Sequence, residues 1–343
     1  MEVIYEMAGF DTYFIYKTGI MDSLSTLEEG LLKLDSKPEG YLWLDYYAPS
    51  EDNLTLLIEP FGIHYLSLED CLDDNQIPKI NEYETYVHIL FNTFLYLDKD
   101  VLVNEANLFM GKNFLVTVTR AGINNSDFTR GYQAFIEKEM RNAKLGPSYA
   151  MHVILDYIVD QKFAAIEAVG DDLSNLEDIM TENHNAFDHS LLHRIRQSLM
   201  ALRKSLFHER EILVKICRND IEIIPDKAII HYNDIYDHIT KFFELTEIYR
   251  EMVTSLIQTN LAMLNNDIAK AANNTNMSVR RLTLITTIFM PLTLIAGIGG
   301  MSEWSMITGS GNWRIAYPVF LGIMMLIGIA NYFILKWLER KDN

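Results

Sequence analysis

Cysteine is nearly absent: Cys71 and Cys217 are the only two in 343 residues. That excludes a disulfide-stapled scaffold and a Cys-rich zinc module, and it suits a reducing compartment. Basic residues are also scarce. Lys plus Arg number 29 against 47 Asp plus Glu, a formal net charge of −18. No basic surplus exists to neutralise phosphates, which argues against a nucleic-acid partner and for an acidic, solvated body or one that handles cations. Common enzyme signatures are missing as well: GxxxxGK[ST], GxGxxG, GxSxG and HExxH do not occur. Proline is absent from 148–224 and from 226–290, and Gly170 is the lone glycine in those stretches. The most informative gap is in charge. Leu282–Met301 and Ile315–Leu335 contain no Asp, Glu, Lys, Arg or His. Each run is close to the ~20 residues that cross a hydrocarbon core as a helix.

The charged residues that are present lie almost entirely outside these two runs. Arg280 and Arg281 precede the first; Lys336, Arg340 and Lys341 follow the second; the connecting loop carries Arg314 as its one basic residue. Positive charge gathered on one side predicts a multi-pass inner-membrane protein with both termini cytoplasmic and the loop outside. The start, MEVIYEMAGFDTYF, is acidic and lacks a signal-peptide pattern, so the body is expected to stay where it is synthesised.

In the body, Tyr41–Tyr47, Tyr86–Leu97 and Asn113–Thr119 read as strands, with helical patterns at Ser50–Ile58 and Leu66–Leu72 between them. After Gly146–Pro147 the composition turns helical, predicting a hairpin at about 149–183 and 186–222. A stalk helix from Asp226 to Ile298, roughly 110 Å at ~1.5 Å per residue, then runs into the first span. The expected organisation is an α+β cytoplasmic domain over 1–147, helical hairpin and stalk over 148–281, spans over 282–301 and 315–335, an external loop over 302–314 and a basic tail over 336–343.

Acidic residues gather at the hairpin turn: Glu167, Asp171, Asp172, Glu177, Asp178 and Glu182. The ordinary reading is a solvated helix face; the alternative is a reservoir that attracts cations. His184, His189 and His193 lie near the same turn. The last two are one helical turn apart, a spacing compatible with metal, but without a third ligand at helix spacing the residues read as ordinary polar surface.

The first span is not a plain anchor. Asn276, Thr283, Met290 and Gly297 recur every seven residues, and Val279, Thr286 and Thr293 fill the alternate heptad position. Seven residues are two turns, so one face carries an amide, hydroxyls, a thioether and a glycine. Hydroxyls facing lipid are costly, so this face meets other helices or water. Pattern alone leaves helix–helix hydrogen bonding and a pore wall both open. A pore would require a symmetric oligomer, because two spans cannot enclose one.

The stretch LTLITTIFMPLTLIAGIGGM over Leu282–Met301 resembles the first transmembrane helix of the CorA family of divalent-cation transporters. Asn273–Asn276, Tyr317-Pro318, Leu68-Glu69-Asp70 and the stretch Tyr232–His238 extend the resemblance along the chain. The resemblance implies a CorA-like homopentameric funnel, embedded in a lipid bilayer, that transports divalent cations rather than catalysing a reaction. Mg²⁺ is the leading ion, both transported and regulatory, with cobalt, nickel and zinc as alternatives. It places Asn276, Val279, Thr283, Thr286, Met290, Thr293 and Gly297 along the pore, with Met290, Leu282 and Val279 as a hydrophobic constriction. It places an intersubunit regulatory cation between Asp70 and Asp234, with Asp237 as an alternate ligand. The stalk carries about one extra heptad between Arg250 and Asn273, which keeps the face in register.

The chain departs from the family at the selectivity entrance. Where the family has Tyr-Gly-Met-Asn, this chain has Gly299-Gly300-Met301-Ser302, followed by Glu303. A serine ring would be wider and hold a hydrated ion less firmly than an asparagine ring. Glu303 reads either as a replacement cation-attracting ring or as a solvated loop charge. A zinc-transporting branch of the family also has an altered signature. A non-conducting metal sensor or scaffold is the competing reading.

Overall fold

The computed structural model describes residues 9–36, 39–73, 76–120, 125–183, 186–300, 309 and 311–341. The chain divides into two units, Met1–Gln258 and Thr259–Asn343.

The first unit is built on a seven-stranded sheet: β1 (Gly9–Tyr16), β2 (Met21–Leu24), β3 (Gly40–Tyr47), β4 (Lys79–Glu82), β5 (Tyr86–Leu97), β6 (Asp100–Gly111) and β7 (Phe114–Thr119). Its order is β2-β1-β3-β7-β6-β5-β4. The β3–β7 pair is parallel and the other pairs are antiparallel. A mixed sheet with both faces covered explains why β3 is buried at nearly every residue instead of alternating. Leu42, Leu44 and Tyr46 pack on the side of α1 (Leu27–Ser36), α2 (Glu51–Thr55), α3 (Ile58–Phe61) and α4 (Tyr65–Glu69), in one core with Leu54, Phe61 and Leu68. Tyr41 and Trp43 serve the opposite face, where Tyr41 donates to the Ala143 carbonyl at 2.9 Å. That face is covered by α5 (Asn125–Lys138), α6 (Met140–Ala143), α7 (Pro147–Glu182) and α8 (His189–Cys217).

The strands expected from sequence coincide with β3, β5 and β7. The β5–β6 hairpin turns on Asp98 and Lys99, both at positive φ (51° and 64°), the conformation a two-residue turn needs between right-twisted strands. The hairpin helices observed, Pro147–Glu182 and His189–Cys217, match those expected to within a few residues. The stalk is the single helix α9 (Asp226–Gly299), and α10 is Trp313–Lys341.

The second unit holds the apolar ends of α9 and α10. The span-length windows have mean hydropathies of 1.9 within Asp226–Gly299 and 1.8 within Arg314–Ile334. In the span of α9 the half-buried positions are Leu284, Ile288, Pro291, Leu292, Ile295 and Gly299, which is one helical face. Along α10 they include Ala316, Phe320, Met324, Gly328 and Asn331. The two faces meet. A Cβ on Gly299 would lie 2.6 Å from the Phe320 ring, and one on Gly328 would lie 3.5 Å from Leu292.

Candidate functional site

The polar stripe lies on the face of α9 that α10 leaves uncovered. Val279 is 55% exposed, Leu282 64% and Met290 67%. Asn276, Thr283, Thr286, Thr293 and Gly297 are exposed with them. The helix is unbroken through Pro291, so the 3–4 spacing read from sequence is a physical stripe.

Its threonines share one arrangement. Thr283 donates to the Val279 carbonyl at 2.9 Å, Thr286 to Leu282 at 2.9 Å and Thr293 to Phe289 at 2.8 Å. Each hydroxyl proton is committed to the backbone four residues back, which satisfies the donor within the helix. The oxygen lone pairs remain, so the stripe presents acceptors to whatever it faces. Acceptors suit a cation or its water shell.

Asp70 and Asp234 sit on separate elements of the first unit. Asp70 caps the C-terminal end of α4, half-buried, and pairs with Lys79 at 2.7 Å. Asp234 and Asp237 lie exposed on α9. Among the described residues none of the three belongs to a three-ligand group within one chain. Met301, Ser302, Glu303 and His184 lie outside the described residues, while Gly300 ends the α9 turn with its N–H on the Ala296 carbonyl at 3.0 Å. Among the described residues His189 belongs to no three-ligand group; its ring packs edge-on against Phe187 at 5.1 Å. Asp172, from the acidic run, accepts a hydrogen bond from Tyr96.

One group was not foreseen from sequence. Asp156 and Asp160 on α7 and His238 on α9 bring one ligand atom each within 4.8 Å of one another. Burial first, and then the Asp160 and Asp234 charges, raise the Asp156 carboxyl to about 6, with His238 acting against them. One turn earlier, His152 packs against the His231 ring at 5.1 Å and is pushed down to about 4 by burial and by His231. The Asp156–Asp160 pair has the i, i+4 spacing that marks one helix face and was legible. The approach of His238 was not, because it depends on how α7 and α9 pack. Two carboxylates and an imidazole form a mixed O/N donor set. Such a set suits borderline cations such as Co²⁺, Ni²⁺ or Zn²⁺ better than Mg²⁺, which prefers oxygen and retained water.

A helical membrane hairpin with an acceptor-lined free face, attached to a carboxylate-bearing α/β body, defines a cation-handling membrane protein. Comparison with known proteins gives the family. The profile described as CorA-like Mg2+ transporter protein matches residues 38–337. The cobalt/magnesium transport protein CorA of Thermotoga maritima is 31% identical over 274 residues, 79% of this chain and 75% of that protein. The putative metal ion transporter YfjQ of Bacillus subtilis is 29% identical over 326 residues, 91% of this chain and 96% of that protein. In fold, the complete CorA magnesium transporter structure from Methanocaldococcus jannaschii matches with a TM-score of 0.68 at 21% identity, covering 97% of this chain and 98% of that one. The chain belongs to the CorA family, a family of divalent-cation transporters rather than enzymes, and it is a membrane protein.

Proposed function

We propose that this chain forms a homopentamer that passes divalent cations, Mg²⁺ foremost, inward across the plasma membrane. The exposed α9 stripe lines the axis in this reading, and both termini are cytoplasmic. The observation that carries it is the placement of that stripe. It is continuous, acceptor-rich and on the face opposite the one α10 covers. A sealed two-helix anchor gains nothing from such a face, whereas five copies would bury it around a hydrated path.

In that assembly Met290, Leu282 and Val279 form apolar rings that close by dewetting, and the threonine rings between and beyond them offer lone pairs to the ion's water shell. Gly300, Met301, Ser302 and Glu303 form the entrance. A cation shared by Asp70 of one copy and Asp234 of the next, with Asp237 in reserve, holds the ring closed; its loss lets copies separate. Asp70 already carries Lys79, so the cation competes with an internal ammonium, which sets the occupancy threshold.

The Asp156–Asp160–His238 group favours a second reading of ion identity, with Co²⁺, Ni²⁺ or Zn²⁺ as sensed or transported ion. Divalent flux into liposomes holding the purified protein, run across Mg²⁺, Co²⁺, Ni²⁺ and Zn²⁺, tests both readings. Flux is expected, rising several-fold in Met290→Ser as the apolar ring is opened. A folded oligomer that passes no ion, with or without internal Mg²⁺, would favour the sensor or scaffold reading instead. The ion ranking, with Ser302→Asn beside the natural protein, separates the Mg²⁺ reading from its alternative.

A further inference from the structure

In a chain of net charge −18, one cavity has the opposite character. It measures about 330 Å³ and lies at the start of α7, where Lys17, Lys112 and Lys144 converge and, among the described residues, no carboxylate lines it. Among the described residues none of the three lysines has a carboxylate partner. They arrive from three places in the fold: the turn after β1, the β6–β7 turn and the segment between α6 and α7. Convergence of like charges from separate elements carries a repulsive cost unless something negative joins them.

The floor of this cavity is the N-terminus of a 36-residue helix. Gly146, at φ 139°, takes the N-cap without a side chain, and Pro147 at the first helical position has no N–H to offer. The Tyr149 and Ala150 N–H groups bend back to the Gly146 carbonyl at 3.1 Å each. That leaves Ser148 at the helix end. It lines the cavity and is 4% exposed, and its hydroxyl has no hydrogen-bond partner among the described residues. A buried hydroxyl without a partner is unfavourable, and a hydroxyl placed beside the positive end of a helix dipole is a natural donor to an anion.

We infer that this cavity binds a small organic phosphate: the phosphoryl group on the α7 N-terminus and Ser148 hydroxyl, ringed by Lys17, Lys112 and Lys144. The volume exceeds that of bare phosphate and sits at the lower end of small-molecule sites, roughly 300 Å³. Met110, Leu145 and Ile223 supply an apolar wall for the remainder of the ligand. The same turn is tied to α9: Tyr232 donates to the Ser148 carbonyl at 2.7 Å, two residues before Asp234. An occupant would therefore brace the junction on which the cation-binding residues stand. The inference is independent of the pore reading, since it concerns only the soluble unit.

The test is calorimetric titration of the full-length protein in detergent, without divalent cations and at fixed ionic strength, using AMP and inorganic phosphate as probes. Saturable binding is expected, tighter for AMP. It should weaken about tenfold or more in Lys112→Glu/Lys144→Glu and measurably in Ser148→Ala, as charge-assisted bonds are lost. Lys204→Glu, an exposed lysine of α8 outside the cavity, should leave it unchanged. Absence of saturable binding by the natural protein would overturn the inference, as would equal affinity in the double lysine variant and in Ser148→Ala.

Discussion

At the scale of single residues, Asp45 gives a direct stability test. It is fully buried on the α5–α7 face of β3, where Thr117 donates to it, and burial pushes its carboxyl up to about 7 against that hydrogen bond's lowering effect. An acid with a raised folded pKa holds its proton more tightly in the folded state. Its stabilising contribution is therefore present below the unfolded value near 4 and is lost as pH rises toward 7. Asp45→Asn should leave the melting temperature little changed at about pH 4 and raise it at about pH 8, with about 4 kcal/mol as the ceiling. Equal changes at the two pH values would show that Asp45 is ionised in the folded protein. Residues of this kind were not legible in the sequence. The segment Tyr41–Tyr47 read correctly as a strand, but nothing in it marks Asp45 as uncharged, because that depends on the cover of helices supplied far along the chain.

At the scale of elements, the helical hairpin is held by features that sequence periodicity passes over. Lys162 of α7 and Glu209 of α8 are both fully buried and bonded to each other, with the ammonium 5.0 and 4.9 Å from the Phe91 and Phe94 ring centres. Glu209 also accepts from the Asn92 N–H at 3.0 Å and the Ser205 hydroxyl at 3.1 Å, so one carboxylate joins α8 to α7 and β5. Lys162→Met, which strands that carboxylate, should lower unfolding free energy by about 3–5 kcal/mol, and adding Glu209→Gln should recover much of the loss. A double variant as unstable as the single one would refute this. In the sequence these two look like ordinary solvated charges. Gly170 is the reverse case: its isolation in a long glycine-free stretch was visible, its reason was not. A Cβ there would lie 2.3 Å from the Tyr249 hydroxyl of α9. Gly170→Ala gains about 1 kcal/mol of helix propensity and loses about 1–3 to overpacking. We expect net destabilisation on thermal denaturation, reversing to stabilisation in a Tyr249→Ala background.

At the scale of the whole molecule, the sequence carried most of the architecture, because its strongest signals are long-range and periodic. Two charge-free runs mark the spans, and a seven-residue repeat marks one face of a helix that the structure shows unbroken. The strands β1, β2 and β6 were harder. β6 interrupts its apolar run with Asn104, Glu105 and Asn107, and partners for two of these come from distant parts of the fold: Asn107 Oδ1 lies 2.8 Å from His88 Nε2, and Glu105 accepts from the Gln76 N–H at 2.7 Å. The candidate metal group was half legible, as a pair of aspartates awaiting a histidine from another helix. Assembly is the property the proposed function most depends on. Mass measurement in detergent should give five copies of the 39.6 kDa chain, and a monomer or dimer under conditions that preserve flux would refute the axial pore.

The backbone-bonded threonines of α9 have one further consequence. A surface made only of neutral oxygens discriminates by sign of charge without carrying any charge itself. No side chain from Leu282 to Met301 gains or loses a proton near neutrality, so in the proposed pore this stretch's own contribution to the field is the same in acid and in alkali. Everything in the chain that can be titrated lies elsewhere, chiefly in the first unit. Permeation and its regulation are thereby written in different chemical alphabets, and a change in one leaves the other legible.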